Sequence, residues 1–233
     1  MPERFAIYFA PAPTSLLWQL AGQWLGRDAA RNVAVVAEIP GIGDERRLAA
    51  TASARRYGFH ATLKAPMALA DGVTRGALEA ALANWAMANA PVPLGRIVLR
   101  PIERFLALVP ETENKTLTRF AADCVAAFEP FRAPLTAEDR EKRIGGGLSS
   151  RQIDLLDQYG YPYVMEEFRL HMTVSDQLDS PEQDFVRQAA QNWFAPVIGE
   201  ELLLDRLSLF HEAAPGAPFT RVADFALSAR PRG

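Results

Sequence analysis

The sequence predicts an α+β fold in which one structural unit is used twice, as a bilobal, pseudo-two-fold repeat of mostly antiparallel sheets with flanking helices. Three observations carry this. Strand-like and helix-like segments follow one another in the same order in both halves, strand, helix, strand, helix, strand, which favours antiparallel hairpins over a doubly wound parallel sheet. Two of the three histidines lie in matching frames, Tyr57-Gly58-Phe59-His60-Ala61-Thr62-Leu63 and Phe168-Arg169-Leu170-His171-Met172-Thr173-Val174. The offsets between matching features agree to within a loop's length: Phe5 to Phe105, His60 to His171, Trp85 to Trp193. The 233 residues are therefore expected to form a single bilobal domain, with repeat units of approximately 1–104 and 105–233.

The elements follow in order. Residues 4–10 combine β-branched and aromatic residues ahead of Pro11 and read as a half-buried strand. Thr14 is placed as the cap of a helix to about Leu25, with Leu17, Leu20, Ala21 and Trp24 on one face and Gly26 as its stop. Val33 to Ile39 reads as a strand ending at Pro40-Gly41, and an irregular Arg-rich stretch leads to the first His frame. A helix from Thr74 to about Asn89 precedes strands at Leu94–Leu99 and Phe105–Val109. The second half replays this with a helix at Thr116–Phe128, a charged connection and Gly145-Gly146-Gly147. A short helix at Ser150–Gln158, the second His frame, and a helix opened by Ser180-Pro181-Glu182 come next. Strands at Glu201–Phe210 and Thr220–Leu227 close the chain.

Hydrophobic residues at 49% and charged residues at 23% are ordinary for a globular protein, and no stretch approaches the ~18 uninterrupted apolar residues of a membrane span. With one cysteine, Cys124 in an apolar helical run, an intramolecular disulfide framework is impossible. No signal-peptide pattern is legible at the N-terminus, so a cytoplasmic protein is expected. A net charge of −3 argues against binding nucleic acid through a broad basic surface, although a local basic site fits the 22 arginines.

The chemistry-bearing residues are His60, Thr62, His171 and Thr173. In a strand, side chains at i and i+2 project from one face, so each frame presents an imidazole and a hydroxyl together. Thr is only 10 of 233 residues, so finding it two places after two of three histidines is poorly explained by composition. By the same strand logic Lys64 follows Thr62 by two and Arg169 precedes His171 by two, and both are expected on the His face as phosphate-binding cations. Arg56, Tyr57 and Tyr163 are further candidates for substrate contact. His211 lacks a Thr partner and reads as a strand-end residue. The Gly145–Gly147 run lacks the Gly-Lys-Ser/Thr of a phosphate-binding loop and reads as a plain loop or a lid. No Cys pair or HExxH supports a metal, and no cofactor is expected.

At the paired His-x-Thr frames the chain resembles the 2H phosphoesterase superfamily. The longer stretches Arg56–Pro66 and Tyr159–Thr173 are similar to the branch encoded among phosphonate-utilisation (C–P lyase) genes. Val174 stands where that superfamily more often has Leu, a conservative departure. The resemblance implies a 2H phosphoesterase/RNA ligase-like fold and a metal-independent cyclic phosphodiesterase. One His would act as general base and the other as general acid, with the Thr hydroxyls on the non-bridging oxygens. A small phosphorylated sugar or nucleotide carrying a cyclic phosphate is the expected partner. RNA end processing, including ligation, and non-catalytic binding of a phosphorylated ligand are the alternatives.

Overall fold

The computed structural model describes residues 2–229. Its elements run β1 (Arg4–Phe9), α1 (Leu16–Leu25), β2 (Arg27–Asp28), β3 (Val33–Ala34), α2 (Asp44–Ala49), α3 (Ala52–Tyr57), β4 (Ala61–Met67), α4 (Arg75–Ala88) and β5 (Val92–Ile102). They continue with β6 (Phe105–Pro110), α5 (Lys115–Ala127), α6 (Ala137–Ile144), α7 (Ser150–Tyr159), β7 (Met172–Thr173), α8 (Ser180–Trp193), β8 (Glu201–Leu204), β9 (Arg206–Glu212) and β10 (Thr220–Ala226). The α+β class expected from the sequence is the class observed.

All but β2 and β3 join one sheet in the order β10-β9-β1-β4-β7-β6-β5-β8, with every pairing antiparallel. This order is symmetric about the β4–β7 junction. On either side of it stand β1 and β6, then β9 and β5, then β10 and β8. Helices follow the symmetry in part, with α4 against β9 and β10 and α8 against β5 and β6. The last strands of the chain thus extend the sheet half that its first strand began. Phe5, Ile7, Leu106, Leu108, Leu207, Leu209 and Phe210 are wholly buried in the resulting core, together with Leu78, Leu82, Val186 and Ala190 from the two helices.

Several local expectations are corrected. Ser15, not Thr14, caps α1: its backbone is extended and its hydroxyl accepts from the Trp18 N–H at 3.2 Å. Gly26 does end that helix, in the left-handed conformation at φ 71°. Of the strand expected at Val33–Ile39 only Val33–Ala34 pairs, and only with Arg27–Asp28. The Arg-rich stretch before the first His frame is helical, as α2 and α3. The segment expected as one strand from Glu201 to Phe210 is two, broken at Asp205, because β8 pairs with β5 while β9 pairs with β1 and β10. The chain changes sheet halves at that residue.

Two residues, Trp24 and Asp176, tie the halves together near the junction through hydrogen bonds. The buried Trp24 indole of α1 donates to the Val174 carbonyl at 2.7 Å. The Asp176 carboxylate accepts from the Ser53 and Ala54 N–H groups at 2.8 and 2.9 Å, filling the donors at the start of α3. The exit from the second His frame therefore fixes the helix that leads into the first.

Candidate active site

The β4–β7 junction is made by the two His-x-Thr frames. Ala61 pairs with Met172 in antiparallel register. Stepping one residue either way sets His60 opposite Thr173 and Thr62 opposite His171, so all four side chains share one face of the sheet. Ala61, Leu63, Met172 and Val174 point to the other face and are buried, whereas the His and Thr residues keep partial exposure. The two imidazoles are diagonal neighbours, which in an antiparallel pair puts the residues roughly 7–8 Å apart and their Cβ atoms somewhat closer.

Both rings are oriented by the same device. His60 Nδ1 lies 2.9 Å from the Gly58 carbonyl and His171 Nδ1 lies 2.8 Å from the Arg169 carbonyl. A carbonyl only accepts, so each Nδ1 carries the proton and each Nε2 is left to accept or donate in the cleft. In the first frame the required carbonyl is delivered by Gly58 at φ 77°, where an added Cβ would stand 2.6 Å from that of Ala29. Burial lowers both imidazole pKa values. His60 is pushed down to about 4 by burial, with the nearby His171 adding to the effect against the Gly58 hydrogen bond. His171 is lowered by burial against the Arg169 hydrogen bond. Neither Thr62 nor Thr173 spends its hydroxyl on a hydrogen bond among the described residues, which leaves both for a ligand.

These four residues line a cavity of about 740 Å³ that also takes in Arg4, Tyr8, Tyr57, Phe105, Arg143 and Tyr161. That volume lies within the ordinary range of a small-molecule pocket, roughly 300–1,000 Å³. Tyr8 stacks on His60 with centroids 3.7 Å apart, and Phe105 meets His171 at 5.7 Å. Burial holds the phenols of Tyr8 and Tyr161 well above the usual range, Tyr161 at about 12, so both are neutral donors. Among the described residues no group of three or more His, Cys, Asp or Glu side chains could hold a metal ion.

Tyr57 lines the cleft as expected from the sequence, but four other candidate binding residues do not. Lys64 is buried on the opposite face, donating to Glu129 at 2.7 Å and to the Val125 carbonyl at 3.3 Å. The cause is a β-bulge: Tyr8 pairs with Thr62 but Ile7 with Lys64, so Leu63 is an extra residue and the strand's alternation reverses there. Arg169 is exposed outside the cleft, its guanidinium donating to the Glu166 and Phe168 carbonyls at 2.9 and 2.8 Å. The two-residue β7 begins only at Met172, so strand periodicity does not extend back to residue 169. Arg56 is committed to an ion pair with the buried Glu212 and to the Gly216 and Ala217 carbonyls at 3.1 and 3.3 Å. Tyr163 faces solvent, and its neighbour Tyr161, packed edge-on to it, occupies the cleft instead.

His211 lies off the site, stacked on Phe5 at 4.7 Å with Nε2 2.6 Å from Glu3. Cys124 is fully buried, and its thiol is pushed up to about 12 by that burial. Sequence reasoning missed Arg4, Tyr8 and Arg143. Tyr8 was legible in principle, since strand alternation places it on one face and two-fold pairing of the halves brings that face to the junction. Nothing local marks Arg143.

A family model described as "Protein of unknown function (DUF1045)" matches residues 62–220, from the first frame's Thr62 through the whole of the second. The chain belongs to this family. It is 39% identical over 221 residues to a protein of Janthinobacterium sp. (strain Marseille) named ribose 1,5-bisphosphate phosphokinase PhnN, covering 93% of this chain and 49% of that protein. It is 35% identical over 221 residues to the protein of the same name in Laribacter hongkongensis (strain HLHK9), covering 93% and 50%. The chain thus spans about half the length of these curated relatives. Among solved structures it is similar to a phosphoesterase (TM-score 0.42, 14% identity, 98% of this chain and 100% of that one). It is also similar to E. coli LigT complexed with 3'-AMP (TM-score 0.41, 14% identity, 98% and 100%). No helix among the described residues is long and apolar enough to cross a membrane.

Proposed function

We propose that the protein is a 2H-type cyclic phosphodiesterase that opens a cyclic phosphate on a small phosphorylated sugar or nucleotide without a metal. The observation that carries this reading is the Ala61–Met172 register, which sets two imidazoles and two unspent hydroxyls together on one face of the sheet. His60 Nε2, neutral because burial depresses its pKa to about 4, takes a proton from the attacking water. The water oxygen bonds to phosphorus while one ring P–O bond breaks. His171, as imidazolium, gives its Nε2 proton to the leaving sugar oxygen. Thr62 and Thr173 donate to the non-bridging oxygens as charge redistributes over them. The product is a phosphate monoester, with the two histidines' protons exchanged and returned through water.

The curated relatives' name supports a narrower substrate. An enzyme named for acting on ribose 1,5-bisphosphate needs that compound supplied, and ring-opening of a cyclic phosphate on ribose 5-phosphate is a hydrolysis that yields a ribose bisphosphate. A link to phosphonate metabolism rests on the same relatives and on the resemblance of the two His-frame stretches. The kinase activity in their name is not assigned to this chain, because none of its three lysines follows a glycine and a Gly-Lys phosphate-binding loop is therefore missing from it.

The test is a panel of cyclic phosphates, including 2',3'-cyclic nucleotides and ribose cyclic phosphates with and without a 5-phosphate, followed by phosphorus NMR. Conversion of a cyclic phosphate to a monoester, undiminished by chelators, is the expected result. Stoichiometric protein that leaves every cyclic phosphate intact over hours would mark a binder. A clearly higher kcat/KM on an RNA oligomer ending in the same group would mark RNA end processing.

A further inference from the structure

The cleft holds two arginines, and they are not equivalent. Arg4 is spent: its Nε pairs with Glu212 at 2.5 Å, and Glu212 also takes Arg56. Burial alone would raise the Glu212 pKa, but the two guanidiniums outweigh it and hold the carboxyl below its usual range. Asp176, the carboxylate on the cavity wall, is occupied by the two N–H groups at the start of α3. Arg143 is half-buried in the same wall and, among the described residues, has neither a carboxylate within 4.0 Å nor any side-chain hydrogen bond. Its guanidinium lies 5.9 Å from the centre of the Tyr161 ring.

The element that carries Arg143 is held in place independently of it. Thr136 caps α6 through the Asp139 N–H at 3.1 Å, and Arg140 makes a two-pronged contact with Asp157 of α7 at 2.5 and 2.8 Å. Arg143 lies one turn after Arg140, at the end of the helix and just before Gly145–Gly147. A terminal arginine serving only the helix dipole needs no cavity and gains by staying in water. Lys142, the adjacent cation, is exposed in that ordinary way.

We infer that Arg143 is a specificity-determining residue that takes a second phosphate of the substrate, remote from the ring being opened. This rests on the proposed reaction for its meaning, but the binding it predicts does not need turnover. A guanidinium matches a phosphate dianion in geometry and charge, and desolvation in the cleft strengthens the pairing. Burial lowers the pKa of Arg143, against the opposing effects of Tyr161 and Asp139 and with Arg4 adding to it, a penalty that a bound anion reverses. Tyr161 and Tyr57 line the same cavity and offer it aromatic faces that suit a sugar.

The experiment has two arms, run on wild type, Arg143→Gln and Arg143→Lys, with thermal melts to establish that each variant is folded. In the binding arm ribose 5-phosphate and ribose are titrated calorimetrically. Ribose 5-phosphate is expected to bind wild type and to weaken roughly 10- to 100-fold in Arg143→Gln, with partial recovery in Arg143→Lys. Equal affinity in all three proteins overturns the inference. In the kinetic arm the ratio of kcat/KM for a ribose cyclic phosphate with a 5-phosphate over one without it is compared. That ratio is expected to fall at least about tenfold in Arg143→Gln. An unchanged ratio, with both substrates losing equally, would move Arg143 to the reacting phosphate and overturn the assignment. If wild type turns over neither substrate the proposed reaction fails, and the binding arm alone decides the role of Arg143.

Discussion

The two His-x-Thr frames share one hydrogen bond and differ in nearly everything around it. Each imidazole is held by the carbonyl two residues before it, yet one carbonyl comes from Gly58 at positive φ and the other from Arg169, which needs no such conformation. The first frame runs into a seven-residue strand, the second into a two-residue one. On the neighbouring strands Tyr8 stands opposite Thr62, whereas Ala107 stands opposite Thr173. That contrast puts the Tyr8 ring 3.7 Å over His60, while among the described residues the aromatic ring beside His171 is the more distant Phe105. Two matching frames thus supply two chemically identical groups in unequal surroundings, and in the proposed reaction that inequality makes one the base and the other the acid. Environments that push two titratable groups apart are how one fold performs both halves of a proton transfer.

The comparison breaks most decisively at the imidazoles. His60→Ala and His171→Ala are each expected to lower kcat by roughly 10²- to 10⁴-fold with little change in melting temperature, and the double variant should be hardly worse than either single. Steady-state kinetics on the best cyclic phosphate decide it, and multiplicative losses would mean that the two residues do separate jobs.

Removing a hydroxyl comes next. Thr62→Val and Thr173→Val preserve shape and each delete one donor to the phosphoryl oxygens, so kcat should fall by roughly 10- to 100-fold in both. A loss in KM alone would show that the hydroxyls bind the ground state without favouring the transition state.

The pH profile tests the division of labour. A base titrating near 4 and an acid titrating below the ordinary 6.5 give a kcat/KM that rises with pH through about 4 and falls again below 6.5. An alkaline optimum would sink the assignment of His60 as base. Tyr8→Ala gives the first frame the small neighbour the second already has, and should move His60 upward from about 4 toward 6.5 while His171 stays put. Histidine resonances followed by NMR read both, and the expected cost in stability is about 3–5 kcal/mol.

The smallest effects separate the two carbonyls. Gly58→Ala should cost about 1–2 kcal/mol or more, from the positive φ and the 2.6 Å approach to Ala29, and should lower activity by displacing the His60 ring. Arg169→Ala keeps its carbonyl in place and, at an exposed position, should stay within about 0.5 kcal/mol of wild type by thermal or denaturant melts.

Some of this was legible from residues alone. The α+β class and most helices follow from periodicity and capping, because those signals are local. The paired frames follow because a period of two puts His and Thr on one face of any strand. What failed did so where periodicity is interrupted. The bulge at Leu63 turned Lys64 away from the cleft, and the absence of strand before Met172 freed Arg169 from it. Arg56 and Tyr163 were misjudged because sequence proximity to a frame says nothing of ion-pair partners such as Glu212, which is 156 residues away.

By itself, then, the sequence determined which groups the chain brings to the site: two imidazoles, two hydroxyls, and the repeat that makes them a pair. Only the tertiary structure decided how they differ and which cations accompany them. Register between β4 and β7, the covering of His60 by Tyr8, and the delivery of Arg143 by a helix pinned through Arg140 are all products of long-range pairing. Such pairing depends on loop closure and packing across the whole chain, and no local pattern encodes it.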